Sequence, residues 1–172
     1  MKLQTLNGAW QFRKVGEQNW QPASVPGGVH TDLMALGHIP DPFVADNELK
    51  VQWVAESDWE YRRVFAVDAA LRDAGRVELV CDGLDTLAEV YLNGSLLGKT
   101  HNMFCQQRWE VGEALKPGEN EVTIRFASAV RYCAQKDAAR PQWTPTGSLP
   151  GSTHVRKAPC HFGWDWGPQL PA

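Results

Sequence analysis

The sequence predicts an all-β protein, a jelly-roll-like antiparallel β-sandwich with one or two short helices. The main observation is a hydrophobic period of two, which recurs in several short segments and is typical of strands with one buried face. A second observation is the Asn93-Gly94 pair, which favours a two-residue hairpin turn between flanking strands. Because the helix patterns are short and local, strands must form the layers of the fold. A jelly roll is favoured because it has about eight strands.

The predicted strands follow one another between tight turns. Trp10 and Phe12 suggest the first strand, and residues 59–67 carry large apolar side chains at alternate positions. Five further strands are predicted, at residues 77–81, 87–92, 95–99, 107–111 and 121–127. Residues 116–120, Lys-Pro-Gly-Glu-Asn, form a turn before the last of these strands.

Two segments have helical character. Residues 29–36 carry apolar side chains at helical spacing, and Gly37 ends the pattern. Ser128 is suited to cap a second helix that reaches about Arg140. These are the one or two short helices of the predicted fold.

Composition excludes several classes of function. A chain of 172 residues with 43% hydrophobic and 22% charged residues has the size and balance of one globular domain. A net charge of -3 without a basic block gives no support for a nucleic-acid partner. No apolar run approaches a membrane span, and residues 1–8 lack the apolar stretch of a signal peptide. We therefore expect a cytoplasmic protein with no membrane partner.

The cysteines and histidines form no pattern typical of a metal site. The four cysteines are far apart in sequence: Cys81, Cys105, Cys133 and Cys160. They include no C-x-x-C pair and no metal-like spacing to histidine, so we expect free buried thiols in a reducing compartment, no metal and no cofactor. The sequence Asn93-Gly94-Ser95 matches the glycosylation sequon, although a turn explains it better.

The most distinctive segment lies near the end of the chain, where Asp165 stands between Trp164 and Trp166. An indole suits the C–H face of a sugar, and a carboxylate accepts hydrogen bonds from two hydroxyls. The alternative is a strand end whose tryptophans pack in the core while Asp165 points to water. Residues 141–159 are rich in Pro, Gly, Ser and Thr and lead into the tripeptide, and loops of this length are usually functional or disordered. The residues alone leave both interpretations open.

Several segments together resemble the N-terminal sugar-binding domain of glycoside hydrolase family 2, and within it the β-mannosidases. In order, they are residues 25–33, 41–43, 47–48, 53–54, 59–61, 83–94, 102–104 and 157–168. Residues 83–94 are similar to a strand and hairpin found across the family, and residues 157–168 to the closing motif of its β-mannosidases. The resemblance implies that residues 1–172 form a galactose-binding-domain-like sandwich. It also implies an immunoglobulin-like domain and a TIM-barrel catalytic domain downstream.

The resemblance implies the recognition domain of an enzyme that hydrolyses terminal non-reducing β-D-mannose residues with retention. In that family both catalytic glutamates lie on the barrel, beyond this chain. The candidate carboxylates of this chain are Asp41, Asp58, Glu60, Asp82, Asp85 and Asp165. No spacing pairs any two of them, so we predict no catalytic residue among them and no hydrolysis by this chain alone. The alternatives are the same domain of an exo-β-glucosaminidase or β-galactosidase type of enzyme, or a stand-alone carbohydrate-binding module.

The resemblance assigns binding of the β-mannoside substrate to Trp164, Asp165 and Trp166. Asp165 would accept hydrogen bonds from hydroxyls on the side of the sugar away from the scissile bond. The sequence does not show which indole faces the sugar. Arg156 and Lys157 could pair with Asp165 and support it, although a solvated basic pair is the simpler expectation.

Other distinctive residues have simpler explanations. Trp53, Trp59 and Trp143 are expected to pack in the core or against another domain. The Asp85 carboxylate is expected to accept a hydrogen bond from its own turn. Residues 169–172 stop inside what resembles a continuing strand, so we expect a truncated sandwich with an exposed edge or apolar groove. Such a sandwich would be weakly stable or would pair with another copy.

Overall fold

A computed structural model of the chain describes residues 2–72, 75–163 and 167–172. Within these residues the backbone forms eight strands: β1 (Gly8–Lys14), β2 (Gln21–Val25), β3 (Trp59–Ala66), β4 (Glu78–Cys81), β5 (Leu87–Leu92), β6 (Ser95–Thr100), β7 (Gln107–Glu110) and β8 (Glu119–Ala127). Every pair of neighbouring strands is antiparallel. The predicted all-β class is therefore confirmed.

The strands form two packed sheets. The larger sheet has the order β2-β1-β3-β8-β5-β6, and the smaller sheet pairs β4 with β7. Leu79 and Trp109 of the smaller sheet pack against the main core, which includes Trp10 and Val90 of the larger sheet. Gly98 of β6 lies so close to Trp109 that a Cβ atom there would be 2.5 Å from the indole nitrogen. Trp109 of the smaller sheet thus packs directly on β6 of the larger sheet. The predicted sandwich is confirmed.

Aromatic residues on alternate positions of β3 form the centre of the main core. The Phe12 ring lies 5.7 Å from the Trp59 ring and 5.5 Å from the Tyr61 ring. The Trp59 indole N–H donates to the Val54 carbonyl at 2.9 Å, and the Tyr61 hydroxyl donates to Asp32 Oδ2 at 2.8 Å. The polar atoms of both large side chains are thus satisfied inside the core.

The Asn93-Gly94 turn joins β5 to β6, as predicted. Asn93 and Gly94 have φ angles of 52° and 82°, which suit a hairpin turn with two left-handed residues. The Asn93 amide nitrogen donates to the Ala114 carbonyl at 2.8 Å and to Asn120 Oδ1 at 2.9 Å. The side chain that the sequon would offer for glycosylation is therefore used inside the fold.

Strand β2 is the one strand of the described residues that the sequence pattern did not indicate. It contains Pro22, which lacks a backbone N–H, and its apolar positions do not form a clear run. The strand pairs with β1 and lies at the edge of the larger sheet, where a proline is tolerated because one side of the strand needs no partner.

The described helices are α1 (Val29–Ala35), α2 (Asn47–Lys50), α3 (Gln52–Ala55), α4 (Ala69–Arg72) and α5 (Ala129–Ala139). The longest two, α1 and α5, lie where the sequence predicted them, and the Ser128 hydroxyl accepts a hydrogen bond from Arg131 N at 3.1 Å. The other three are single turns, too short to produce a helical period. No helix within the described ranges is long and apolar enough to cross a membrane.

The tryptophans outside the terminal tripeptide differ in their surroundings. Trp59 is buried, and the Trp53 ring lies 6.0 Å from it while remaining 39% exposed. Trp143 is 79% exposed, so the prediction that it packs in the core of this chain is wrong. The reason is local, because residues 141–146 belong to no helix or strand that would direct the indole inward. Packing of Trp143 against another domain stays a prediction.

The cysteines are all free thiols, as predicted, but the prediction that they are buried is wrong for Cys105 and Cys160, which are exposed. Burial, with a smaller contribution from Asp82, raises the pKa of Cys81 to about 11. Burial and Asp137 raise the pKa of Cys133 to about 11 in the same way. These two thiols therefore stay protonated near neutral pH and are poor nucleophiles.

Candidate functional site

The candidate site is the segment of chain that carries Trp164, Asp165 and Trp166. These three residues lie outside the described residues, so their role in substrate binding stays a prediction. The structure does describe the chain on both sides of the tripeptide. The contacts of these two flanks show how the segment is held.

The two flanks of the tripeptide meet each other. Gly163 has a φ angle of 118°, and a Cβ atom there would lie 2.7 Å from Gln169 Cγ and 2.8 Å from the Gly147 carbonyl oxygen. Gln169 Nε2 donates to the same Gly147 oxygen at 2.8 Å. Both the backbone angle and the close approach require glycine at position 163.

The flank after the tripeptide is fastened to the pair of short helices α2 and α3. Gln169 N donates to Glu48 Oε2 at 3.2 Å, and Gln52 Nε2 donates to the Gln169 carbonyl at 2.9 Å. Leu170 packs against the main core, and the Pro171 side chain is fully buried. This flank is therefore part of the folded sandwich.

The flank before the tripeptide is packed on helix α5. Val155 and Phe162 form a small apolar cluster with Ala129 and Cys133 of that helix, and Phe162 is only 1% exposed. Gly151 approaches the same helix so closely that a Cβ atom would lie 2.7 Å from the Cys133 carbonyl oxygen. The Pro- and Gly-rich segment before the tripeptide is thus anchored by apolar contacts.

The same flank also runs beside residues 102–103. Asn102 and Arg156 form a parallel bridge, and Met103 N donates to the Arg156 carbonyl at 3.1 Å. Ala158 N lies 3.0 Å from the Met103 sulfur. The Arg156 side chain is exposed, so the contribution of this residue among the described contacts comes from its backbone.

Lys157 forms a buried ion pair with Asp85. Lys157 Nζ lies 2.6 Å from Asp85 Oδ2, and the lysine side chain is 1% exposed. The expectation of a solvated basic pair is therefore wrong for Lys157, because a buried ammonium requires a carboxylate partner. The expected turn bond covers only part of the contacts of Asp85, since its carboxylate accepts from the neighbouring Thr86 hydroxyl and also from this distant lysine.

Two histidines complete this group. His161 Nδ1 lies 3.2 Å from Asp85 Oδ2, the oxygen that also contacts Lys157. His30 of α1 has its Nε2 atom buried without a hydrogen-bond partner among the described residues. Burial, and then the positive charge of Lys157, lower the pKa of His30 to about 4. The ring is therefore neutral near pH 7.

The electrostatics of the pair favour its charged form. Burial acts to raise the pKa of Asp85, but His161 and the Lys157 ammonium outweigh burial and lower that pKa to about 2. Burial lowers the pKa of Lys157, and the Asp85 carboxylate opposes that effect. The pair can orient neighbouring chain segments, but it holds no activated nucleophile. Among the described residues, no group of three or more His, Cys, Asp or Glu side chains could hold a metal ion.

Sequence reasoning did not identify the partnership of Asp85, Lys157, His161 and His30. The only signal was that Asp85 lies in residues 83–94 and Lys157 in residues 157–168, the two most distinctive motifs. Two charges of opposite sign in separate motifs are a reason to test for contact. No local pattern joins residues that are 72 positions apart.

Comparison with known proteins connects this arrangement to a family. The model of the family described as "Glycosyl hydrolase 2 galactose-binding domain-like" matches residues 10–172. Beta-mannosidase B of Thermothelomyces thermophilus is 42% identical over 170 residues, covering 96% of this chain and 20% of that protein. Beta-mannosidase of Rattus norvegicus is 35% identical over 98% of this chain and 20% of its own length. The chain thus spans about a fifth of the relatives that it matches.

Solved structures agree with these relatives. Beta-D-mannosidase from Dictyoglomus thermophilum superposes with a TM-score of 0.94 at 42% identity, over 99% of this chain and 21% of that one. The exo-chitosanase of Amycolatopsis orientalis gives a TM-score of 0.61 at 20% identity, over 70% of this chain and 16% of that one, which supports the fold alone. The chain therefore belongs to the galactose-binding domain-like family of glycosyl hydrolase 2.

Proposed function

We propose that this chain is the substrate-recognition domain of a β-mannosidase that hydrolyses terminal non-reducing β-D-mannose residues with retention. The observation that carries the proposal is the 42% identity over 99% of the chain to a solved β-D-mannosidase. The β-glucuronidase and exo-chitosanase structures are 20% to 28% identical over 70% to 72% of the chain. This difference favours the β-mannosidase over the exo-β-glucosaminidase alternative.

In this proposal the domain supplies sugar contacts and the catalysts lie elsewhere. Trp164, Asp165 and Trp166 contact the terminal mannose, and Asp165 accepts hydrogen bonds from hydroxyls away from the scissile bond. The contacts on both flanks support this role, because remote hydrogen bonds help catalysis only when their donors and acceptors are held in place. The two catalytic glutamates belong to a TIM-barrel domain that follows an immunoglobulin-like domain.

The test uses the longer protein that carries this chain. We expect that protein to hydrolyse an aryl β-mannoside and to prefer it over the matching β-glucosaminide and β-galactoside. Residues 1–172 alone should release no aryl alcohol, since no pair of catalytic carboxylates is predicted in them. Comparable kcat/KM values for the β-mannoside and the β-glucosaminide would contradict the substrate assignment. Tight, saturable binding of mannose to residues 1–172 alone would instead favour a carbohydrate-binding module.

We further propose that residues 1–172 alone pair with a second copy. Within the part of the chain that the structure describes, the smaller sheet consists of β4 and β7, and each of these strands is paired on one side. A cavity of about 1140 Å³, lined largely by apolar side chains of both sheets such as Trp10, Phe65, Leu79 and Ile124, lies beside them. Unpaired edges next to apolar surface favour strand-to-strand association.

We expect a concentration-dependent dimer when residues 1–172 are studied by sedimentation equilibrium. Val80 of β4 is 39% exposed, so Val80→Lys would place a charge on this sheet and shift the equilibrium towards monomer. Thr123→Lys on the fully paired strand β8 is the matched control, with no shift expected. A stable, monodisperse monomer at all concentrations would contradict the proposal.

A further inference from the structure

We propose that Asp85 and Lys157 are positioning residues for the segment that carries Trp164, Asp165 and Trp166. The inference rests on the proposed function, because positioning has a measurable effect only if the tripeptide contacts the sugar. Asp85 lies between β4 and β5, whereas Lys157 lies seven residues before the tripeptide. Their ion pair therefore joins the chain before the tripeptide to the loop between β4 and β5.

One carboxylate oxygen gathers two side chains of the segment. Asp85 Oδ2 lies 2.6 Å from Lys157 Nζ and 3.2 Å from His161 Nδ1. Lys157 and His161 lie before and within the single turn of 3₁₀ helix at Pro159–Phe162, which leads directly to Gly163. The Lys157 ammonium is hydrogen-bonded to this oxygen, whereas the His161 ring lies beside it with no hydrogen bond at Nδ1 among the described residues. The Lys157 contact therefore holds the chain that enters the turn.

Stability alone is a weak explanation for this ion pair. The Lys157 side chain is 1% exposed, and taking an ammonium out of water costs free energy that its partner only partly returns. Apolar pairs of similar volume are often as stabilising as a buried ion pair, whereas an ion pair demands one geometry. We therefore assign the Asp85–Lys157 pair a role in orienting the chain before the tripeptide rather than in stabilising the fold.

The surroundings of the pair leave Lys157 one described anionic partner. His30 adds no positive charge near it, because burial and the lysine charge lower the pKa of that ring and keep it neutral. On the other side the backbone of residues 156–158 is held by residues 102–103. The ammonium therefore has one described carboxylate within ion-pair distance, and that carboxylate determines where the segment lies.

The chain also offers a matched control. Lys99 Nζ lies 2.6 Å from Glu89 Oε1, the same separation as in the buried pair, but the lysine side chain is 66% exposed. This second pair joins β5 to β6 within one hairpin. Removing it deletes the same charges at the same distance without touching residues 155–163.

The experiment compares two neutralised double variants of the longer protein, D85N/K157M and E89Q/K99M. For D85N/K157M we expect kcat/KM for an aryl β-mannoside to fall at least fivefold, with the loss divided between kcat and KM as for Asp165→Ala. Because no charge is left buried without a partner, the thermal midpoint should stay close to that of the parent. For E89Q/K99M both constants should stay within a factor of two of the parent values.

Parent-like kinetics in D85N/K157M, or an equal loss in E89Q/K99M, would overturn the inference. If D85N/K157M does not fold, His161→Gln is the second test, because this 37% exposed side chain lies 3.2 Å from the same Asp85 oxygen. We expect its kcat/KM to fall at least twofold, and an unchanged kcat/KM would overturn the inference. The proposed function fails separately, when the parent does not cleave a β-mannoside or when Asp165→Ala leaves kcat/KM unchanged.

Discussion

Replacing Asp165 by alanine in the longer protein should lower kcat/KM for an aryl β-mannoside by about 30-fold to 1000-fold, equivalent to about 2–4 kcal/mol. Under the proposed function, the carboxylate accepts hydrogen bonds from two sugar hydroxyls. Hydrogen bonds to a charged group are among the strong ones, and those that tighten as the ring distorts act on the transition state. The loss should therefore appear in kcat/KM and only in part in KM.

Four further variants separate the role of the Asp165 charge from the roles of the two indoles. Asp165→Asn keeps an acceptor oxygen and should lose less activity than Asp165→Ala. Asp46→Ala removes an exposed carboxylate whose partner is Lys50, and activity should not change. Alanine at Trp164 or Trp166 should raise KM at the position that faces the sugar and lower thermal stability at the position that packs inward. An Asp165→Ala variant with unchanged kcat/KM would exclude the predicted sugar contact.

The fold was predictable because its determinants are local. Trp59 and Tyr61 alternate with polar residues on β3, and that alternation alone decides which face is buried. The Asn93-Gly94 pair determines the turn and the register of the residues next to it, Leu92 with Ser95 and Tyr91 with Leu96, before the register shifts at Val90. The prediction failed at β2, because this strand contains Pro22 and has no clear run of apolar residues. Its place at the edge of the larger sheet is visible only in the tertiary structure.

The contacts of the candidate site were not predictable because they are distant in sequence. Asp85 had a local partner available in its own turn, and local bonds are the usual role of a single aspartate in a loop. Burial of Lys157 gives Asp85 a distant partner as well, because a buried ammonium needs a carboxylate next to it. The tripeptide itself was predicted from its chemistry and from the resemblance of residues 157–168. The Asp85–Lys157 pair required the tertiary structure.

Acid should destabilise residues 1–172 well above the pH at which ordinary carboxylates titrate. The pKa of His30 is lowered from 6.5 to about 4, mainly by burial and then by Lys157, so the unfolded state binds more protons between these values. The free energy of unfolding therefore falls as pH drops from 6.5 to about 4, by at most about 3 kcal/mol. Asp85, whose pKa is lowered from 3.8 to about 2, adds a second loss of about 2 kcal/mol as pH falls below about 4.

The measurement is urea unfolding of residues 1–172 followed by tryptophan fluorescence at several pH values between 7.5 and 4. His30→Gln cannot titrate, so its free energy of unfolding should change much less over this window than that of the parent. His101→Gln removes an exposed histidine and should keep the parental pH dependence. Because His30 and Asp85 both face Lys157, a parental slope in His30→Gln would mean that another group takes up the proton. The neutral His30 ring beside the ion pair would then have no part in acid unfolding.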